Sequence, residues 1–171
     1  MTPRTLIFSL MSISTAALNP MQGRDPQESG RVATPLELLY DLCFAVAFGI
    51  AGHQFAHLFS QHHYLAALTG FGFAVFAICW SWIQFSWFAS AFDTDDWPYR
   101  ITVMAQMVGV VIVALGLPVA CASIEAGASL NIKVTVMGYV VIRGAQLLNW
   151  LRVYLQDPQY RGLCIRYMST L

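Results

Sequence analysis

The chain has 171 residues, of which 57% are hydrophobic and only 11% charged, and its formal net charge is zero. Soluble domains usually carry about a quarter charged residues, so this composition, with a mean hydropathy of +0.58, argues for a membrane protein. It argues against a nucleic-acid partner, because the sequence has no basic patch and no interleaved basic and aromatic face.

Residues 1–29 are interpreted as a leader outside the fold. Arg4 is followed by a short apolar stretch over residues 6–18, which mimics a signal peptide. Serines and a threonine dilute this stretch, so a disordered leader, or a true start at Met21, is preferred over a cleaved signal peptide.

Four apolar runs follow, and each exceeds the ~20 residues that cross a ~30 Å hydrocarbon core. They cover residues 35–58, 64–91, 98–121 and about 130–155. We therefore predict an all-α, multi-pass transmembrane helical bundle with four spans, contained in residues 30–156. Pro118 is predicted to kink or end the third helix, because proline lacks the N–H group that a helix interior needs.

The first run begins with residues that favour a helix start. Thr34 can cap the helix, Pro35 fits the first helical position, and Glu37 completes a Thr-x-x-Glu capping box. Glu37 and Asp41 are four residues apart and therefore share a helix face. Small residues continue this face, which predicts close helix packing and turns Asp41 towards protein rather than lipid. These residues are Ala45, Gly49, Gly52 and Ala56.

The placement of Lys and Arg predicts a cytoplasmic N-terminus in a plasma or inner membrane. With four spans the C-terminus would also be cytoplasmic, and the outer side would carry only Lys133. The inner side would carry Arg4, Arg24, Arg31, Arg100, Arg152, Arg161 and Arg166.

Each predicted helix places one polar side chain in the inner third of the membrane, and these are Asp41, Gln84, Gln106 and Asn149. Arg143 lies deeper, where a charge is costly and usually faces a partner or a water-filled cavity. We predict that Asp41 pairs with Arg143, and that Glu37 pairs with Arg100 or Arg152. The set forms either an ion, proton or substrate site or a structural layer of interhelical hydrogen bonds.

Three aspartates precede the third helix, at Asp93, Asp95 and Asp96. At least one of them is expected to cap the helix and to complement its dipole. Three acids before Arg100 exceed what a cap needs. A cytoplasmic cation site or an arginine-pairing site is therefore the alternative.

His53 and His57 are four residues apart, a spacing that suits a metal site, but no carboxylate or cysteine lies near them in sequence. They are interpreted as interfacial histidines, with proton sensing as the alternative. The four cysteines form neither a disulfide framework nor a metal motif, so they are predicted to be small buried hydrophobes. No motif indicates a cofactor.

Three sequence motifs carry a family resemblance. They are RDPQESGRVATPLELLYDLCFAVAF over residues 24–48, FDTDDWPYR over residues 92–100 and DPQYR over residues 157–161. Together they resemble the bacterial low temperature requirement A protein family. The resemblance implies a multi-pass membrane protein of unsettled activity whose members continue with further spans. Residues 157–171 are thus expected to be a cytoplasmic tail or the start of a truncated second half.

The sequence favours a membrane transport or permeation component that uses the polar residues, with Asp41 rather than Glu37 carrying any proton-coupled or ion-coupled function. The alternative is a non-transporting stress-adaptation or assembly factor in which the polar residues are structural. An intramembrane enzyme is least favoured, because no nucleophile or metal set is recognisable. Expected partners are the lipid bilayer and either a second copy or the missing C-terminal half.

Overall fold

The computed structural model describes residues 21–23, 33–93 and 95–170. Its helices are α1 Pro35–Ser60, α2 Tyr64–Ala91, α3 Trp97–Glu125, α4 Lys133–Gln156 and α5 Arg161–Thr170, with a 3-10 turn at Pro158–Tyr160. Two short strands, β1 Gln22–Gly23 and β2 Phe92–Asp93, pair antiparallel. The predicted leader, residues 1–29, lies outside the described residues, apart from residues 21–23.

The helix boundaries follow the capping residues that the sequence contains. The Thr34 hydroxyl accepts a hydrogen bond from the Glu37 backbone N–H at 3.2 Å, so the predicted cap of α1 is confirmed. The Asp96 carboxylate caps α3 in the same way, through the Tyr99 N–H at 3.1 Å. α3 continues past Pro118 to Glu125, so Pro118 does not end the helix.

Within the described residues, three helices are long and apolar enough to cross a membrane: α1, α2 and α3. By helix length and hydropathy, the prediction of four spans is therefore wrong. α4 is present and has 24 residues, but polar side chains recur along it, among them Arg143, Gln146 and Asn149, and they lower its hydropathy. A cytoplasmic C-terminus was inferred from an even number of spans and loses that support.

Contacts between the helices show that α1 and α3 run in one direction and that α2 and α4 run in the other. The Trp82 indole near the end of α2 donates to Asp41 near the start of α1. Arg152 near the end of α4 bonds to Asp96 at the start of α3. His57 near the end of α1 pairs with Glu125 at the end of α3.

The closest helix approach lies between α3 and α4, at glycines on both helices. A Cβ atom added at Gly138 would lie 2.6 Å from the Val113 backbone nitrogen and 2.7 Å from the Gly109 carbonyl oxygen. The predicted close-packing face of α1 is wrong. No atom lies within 4 Å of a Cβ added at Gly49 or Gly52, and α1 packs instead through other side chains: Tyr40, Phe44, Ala47, Ala51 and Leu58.

Residues 157–170 pack back onto one end of the bundle. The Tyr167 ring stacks on Trp150 with centroids 4.5 Å apart and planes 6° apart, and the Tyr160 ring meets Phe92 edge to face. Cys164 in α5 is fully buried. The other three cysteines, Cys43, Cys79 and Cys121, are only half-buried, and none of the four forms a disulfide.

The surface of the bundle is apolar, whereas several polar side chains are buried. Large hydrophobic residues that are more than half exposed lie on all four long helices, among them Leu42, Phe73, Phe76, Leu115, Val140 and Leu148. A surface of this kind is stable against lipid rather than water. The three apolar helices and this surface place the protein in a lipid bilayer.

Candidate functional site

Six residues in the first halves of α1 and α3, the second half of α2 and the middle and second half of α4 bury polar atoms inside the bundle. We call them the polar core: Tyr40, Gln84, Gln106, Arg143, Gln146 and Asn149. Four of the six had been predicted from sequence, and Tyr40 and Gln146 had not. Asp41, which had been predicted to join them, is exposed on the outside of α1.

Two hydrogen bonds tie the helices together at the polar core. The Tyr40 hydroxyl of α1 donates to Gln106 Oε1 of α3 at 3.1 Å, and both side chains are buried. The Thr102 hydroxyl of α3 donates to Asn149 Oδ1 of α4 at 2.7 Å. Gln106 and Asn149 therefore both fix the position of α3 relative to a neighbouring helix.

The predicted pair between Asp41 and Arg143 is wrong. The Arg143 guanidinium lies 4.6 Å above the Tyr139 ring, donates to the Tyr139 hydroxyl at 2.6 Å and donates to Gln146 Oε1 at 3.2 Å. Both partners lie one turn away on α4, so the guanidinium finds local acceptors and does not reach α1. Asp41 instead accepts a hydrogen bond from Trp82 Nε1 at 2.7 Å.

Glu37 and Asp41 line an open pocket of about 320 Å³ between α1 and α2, which we call the acidic pocket. The prediction that they share a helix face is thus confirmed. The rest of the lining is Ala33, Trp82, Phe85, Ser86 and Ala89. Two carboxylates with an indole N–H and a hydroxyl beside them can accept protons or bind a cation.

A pair of stacked rings connects the acidic pocket with the polar core. Phe85 lines the pocket, and its ring stacks on Tyr40 with centroids 3.6 Å apart. The Tyr40 hydroxyl in turn reaches Gln106. The ring pair therefore lies between the two sites.

The aspartates before α3 act as a cap and as arginine partners. Asp96 caps the helix and also forms a two-bond ion pair with Arg152, in which Nη1 lies 2.8 Å from Oδ1. Asp95 binds Arg100 through two bonds of 2.7 Å. Both the predicted cap and the alternative of arginine pairing are therefore confirmed, and the Asp93 side chain lies outside the described part of the structure.

These pairs also bear on the expected partner of Glu37. Arg100 is bound to Asp95. The pairing of Glu37 with Arg100 or Arg152 stays a prediction.

Acid is expected to destabilise the folded protein through Asp96. Burial alone would raise the pKa of Asp96, but the hydrogen bonds from Arg152 and from the Tyr99 N–H outweigh burial and hold that pKa below its usual range. A carboxyl whose pKa is lowered on folding contributes its full stability above its unfolded pKa and loses it as the pH falls through the folded value.

Thermal unfolding in detergent should thus show constant stability at neutral pH and a decline below about pH 4. The Asp96→Asn variant should lose most of this decline. A decline of unchanged size in that variant would assign it to other carboxyl groups.

The histidines lie at the other end of the bundle from the acidic pocket. His57 Nδ1 lies 3.1 Å from Glu125 Oε1, a carboxylate that is distant in sequence and was not foreseen as a partner. In the part of the chain that the structure describes, no group of three His, Cys, Asp or Glu side chains could hold a metal ion. Of the two histidines, His57 therefore contacts Glu125, whereas His53 is exposed.

Sequence analysis missed Tyr40, Gln146, Tyr139 and Thr102. A signal for Gln146 and Tyr139 was present, because Gln146 follows Arg143 by three residues and Tyr139 precedes it by four. Side chains at these spacings lie next to each other on a helix.

Comparison with known proteins decides the family. The family model of the bacterial low temperature requirement A protein (LtrA) matches residues 32–171. The chain belongs to the LtrA family. The LtrA match includes every residue of the polar core and every residue that lines the acidic pocket. No curated protein and no solved structure matches the chain.

Proposed function

We propose that this LtrA family protein is a membrane transport or permeation component that uses the polar core. The supporting observation is that buried polar atoms in the core have no hydrogen-bond partner: Gln84 Oε1, Arg143 Nε and Gln146 Nε2. A buried polar group without a partner costs about 1–3 kcal/mol. Apolar side chains would pack at these positions without that cost, so a role for the polar groups with a ligand, an ion or water accounts for them.

The acidic pocket supplies the coupling site in this proposal. Asp41 faces the open pocket, where it can exchange a proton or a cation with the surroundings, and the neighbouring Tyr40 belongs to the polar core. The Tyr40–Phe85 ring pair acts as the boundary between the two. Glu37 has a different role, because it sits in the first turn of α1 beside the Thr34 cap.

The orientation belongs to the same proposal. Three arginines precede α1, and Arg100 lies at the end of the bundle where α1 begins. This excess of positive charge supports a cytoplasmic N-terminus in a plasma or inner membrane. The acidic pocket would then open near the cytoplasmic face.

A second candidate function is a non-transporting stress-adaptation or assembly factor. The Tyr40–Gln106 and Thr102–Asn149 hydrogen bonds favour it, because each joins two helices as a purely structural layer would. The two candidates differ in what they expect of Asp41, which makes no contact that joins α1 to α3 or α4 in the described residues.

Neutralising Asp41 is expected to abolish pH-dependent flux without removing the protein from the membrane. The purified chain would be reconstituted into liposomes that contain a pH-sensitive dye, and proton entry would be followed after an external pH jump. The Glu37→Gln variant is the matched control, and it should retain flux while losing about 0.5–1 kcal/mol of stability, because a negative charge near a helix N-terminus is favourable.

The transport proposal fails if the wild-type chain gives no flux above empty liposomes. The assignment to Asp41 fails if Asp41→Asn retains wild-type flux at every pH.

A further inference from the structure

Arg143 is a buried cation without a counter-charge. Arg143 is only 8% exposed, and no carboxylate of the described residues lies within ion-pair distance of its guanidinium. By contrast, Arg100 is paired with Asp95 and Arg152 with Asp96. A charge inside a membrane bundle is costly unless a partner compensates it, so the surroundings of Arg143 favour an anion.

At Arg143 and Gln146, two buried hydrogen-bond donors have no acceptor. A guanidinium can only donate, so the Gln146 amide must turn its oxygen towards Arg143 and its NH2 group away. That NH2 nitrogen is buried and has no partner, and neither has the Nε–H of Arg143. Two unsatisfied donor groups therefore lie one turn apart on α4, next to an uncompensated positive charge.

A small cavity lies beside the phenol that Arg143 contacts. Tyr139, whose hydroxyl binds Arg143, also lines a cavity of about 10 Å³ together with Ser81 and Phe44. This volume is close to that needed for a single water molecule. The structure thus has space for a species of about this size next to the Tyr139 side chain.

We propose that Arg143 binds a small monovalent anion, such as chloride or a short carboxylate, within the polar core. Arg143 supplies the charge and its unpaired Nε–H, and Gln146 positions the guanidinium through its amide oxygen. That this anion is also a transported species rests on the proposed function, whereas its binding does not.

Equilibrium binding of radioactive chloride and of radioactive acetate to the purified protein in detergent tests this inference. The wild-type chain should bind at least one of the two saturably. The decisive variant is Gln146→Glu, which places a carboxylate next to Arg143 and so provides the missing counter-charge inside the protein. It should fold at least as well as the wild type and bind both anions at least about tenfold more weakly.

Two further variants complete the test. Arg143→Gln should also lose binding, and Arg100→Gln is the matched control that should bind as the wild type does, because Arg100 lies at the surface and is paired with Asp95. Absence of saturable binding to the wild type, or undiminished binding to Gln146→Glu, overturns the proposal.

Anion flux in liposomes separates this proposal from the transport function. Binding that is lost in Gln146→Glu, without any flux in the wild type, supports the anion site and contradicts transport. Proton flux in the wild type, together with unchanged anion binding in Gln146→Glu, supports transport and overturns the anion site.

Discussion

Replacing Asp96 by Asn is expected to lower the free energy of unfolding by about 3 kcal/mol, because the change breaks the largely buried ion pair between Asp96 and Arg152. The Asp96 side chain is 3% exposed and that of Arg152 15% exposed, so water compensates little of the loss. Asn is itself a good N-cap, and the helix start at Tyr99 should survive. The loss therefore reports on the ion pair rather than on the cap. Reversible unfolding in mixed micelles, followed by circular dichroism, gives the measurement.

The Asp95→Asn variant provides a neighbouring control for Asp96. Asp95 pairs with Arg100 through bonds of similar length, but both of these side chains are about half exposed, and exposed ion pairs contribute little. The double variant Asp96→Asn with Arg152→Gln should lose less stability than the sum of the two single variants. Equal effects of Asp95→Asn and Asp96→Asn would show that burial does not strengthen the second pair.

Replacing Gly138 by Ala is expected to destabilise the contact between α3 and α4 by about 1–3 kcal/mol, the usual cost of overpacking a tight contact. The added Cβ would lie less than 3.0 Å from two backbone atoms of α3 and from the Val113 side chain. Backbone cannot rotate away as a flexible side chain can, so the helices must move apart. The same unfolding assay measures the loss.

The control for Gly138 lies on the same helix. Nothing is within 4 Å of a Cβ added at Gly144, so Gly144→Ala should be neutral or should stabilise the protein by up to about 1 kcal/mol through the higher helix propensity of alanine. If both substitutions stabilise α4 equally, the close approach of α3 at Gly138 is not formed in the protein.

The helices could be predicted from sequence because their boundaries depend on local chemistry. Thr34 and Asp96 cap α1 and α3 through hydrogen bonds within four residues of the chain, and the predicted bounds of α2 match the structure. α3 continues past Pro118 and ends at Glu125, a little beyond the predicted run of residues 98–121, since a proline in an apolar helix can be accommodated when neighbouring helices hold both halves.

The rotation of each helix could not be predicted. α1 is apolar on nearly all sides, so its sequence does not indicate which face packs inward. Tyr40 and Asp41 are adjacent and point about 100° apart. A prediction that turned Asp41 inward therefore turned Tyr40 outward, which is the reverse of what the structure shows. The Asp41–Arg143 pair and the close-packing face at Gly49 both followed from this one error.

The glycines of the α3–α4 contact could have been found only from a comparison of two helices. Gly109 and Gly116 are seven residues apart on α3, which places them on one face, but the partner Gly138 has no such repeat on α4. The small residues of α1 form a more regular sequence pattern than these glycines do, but no other helix packs closely against Gly49 or Gly52. Spacing alone does not reveal whether a partner helix supplies a complementary surface.

The burial of Trp150 gives the protein a built-in optical label. Of the five tryptophans, Trp80, Trp82, Trp87 and Trp97 are all between 37% and 65% exposed, whereas Trp150 is 1% exposed. Brominated lipids would quench the fluorescence of the four outer indoles and spare Trp150, whose ring is covered by Tyr167 of α5. The unquenched emission then comes from a single known position, and its intensity reports whether α5 lies against the bundle.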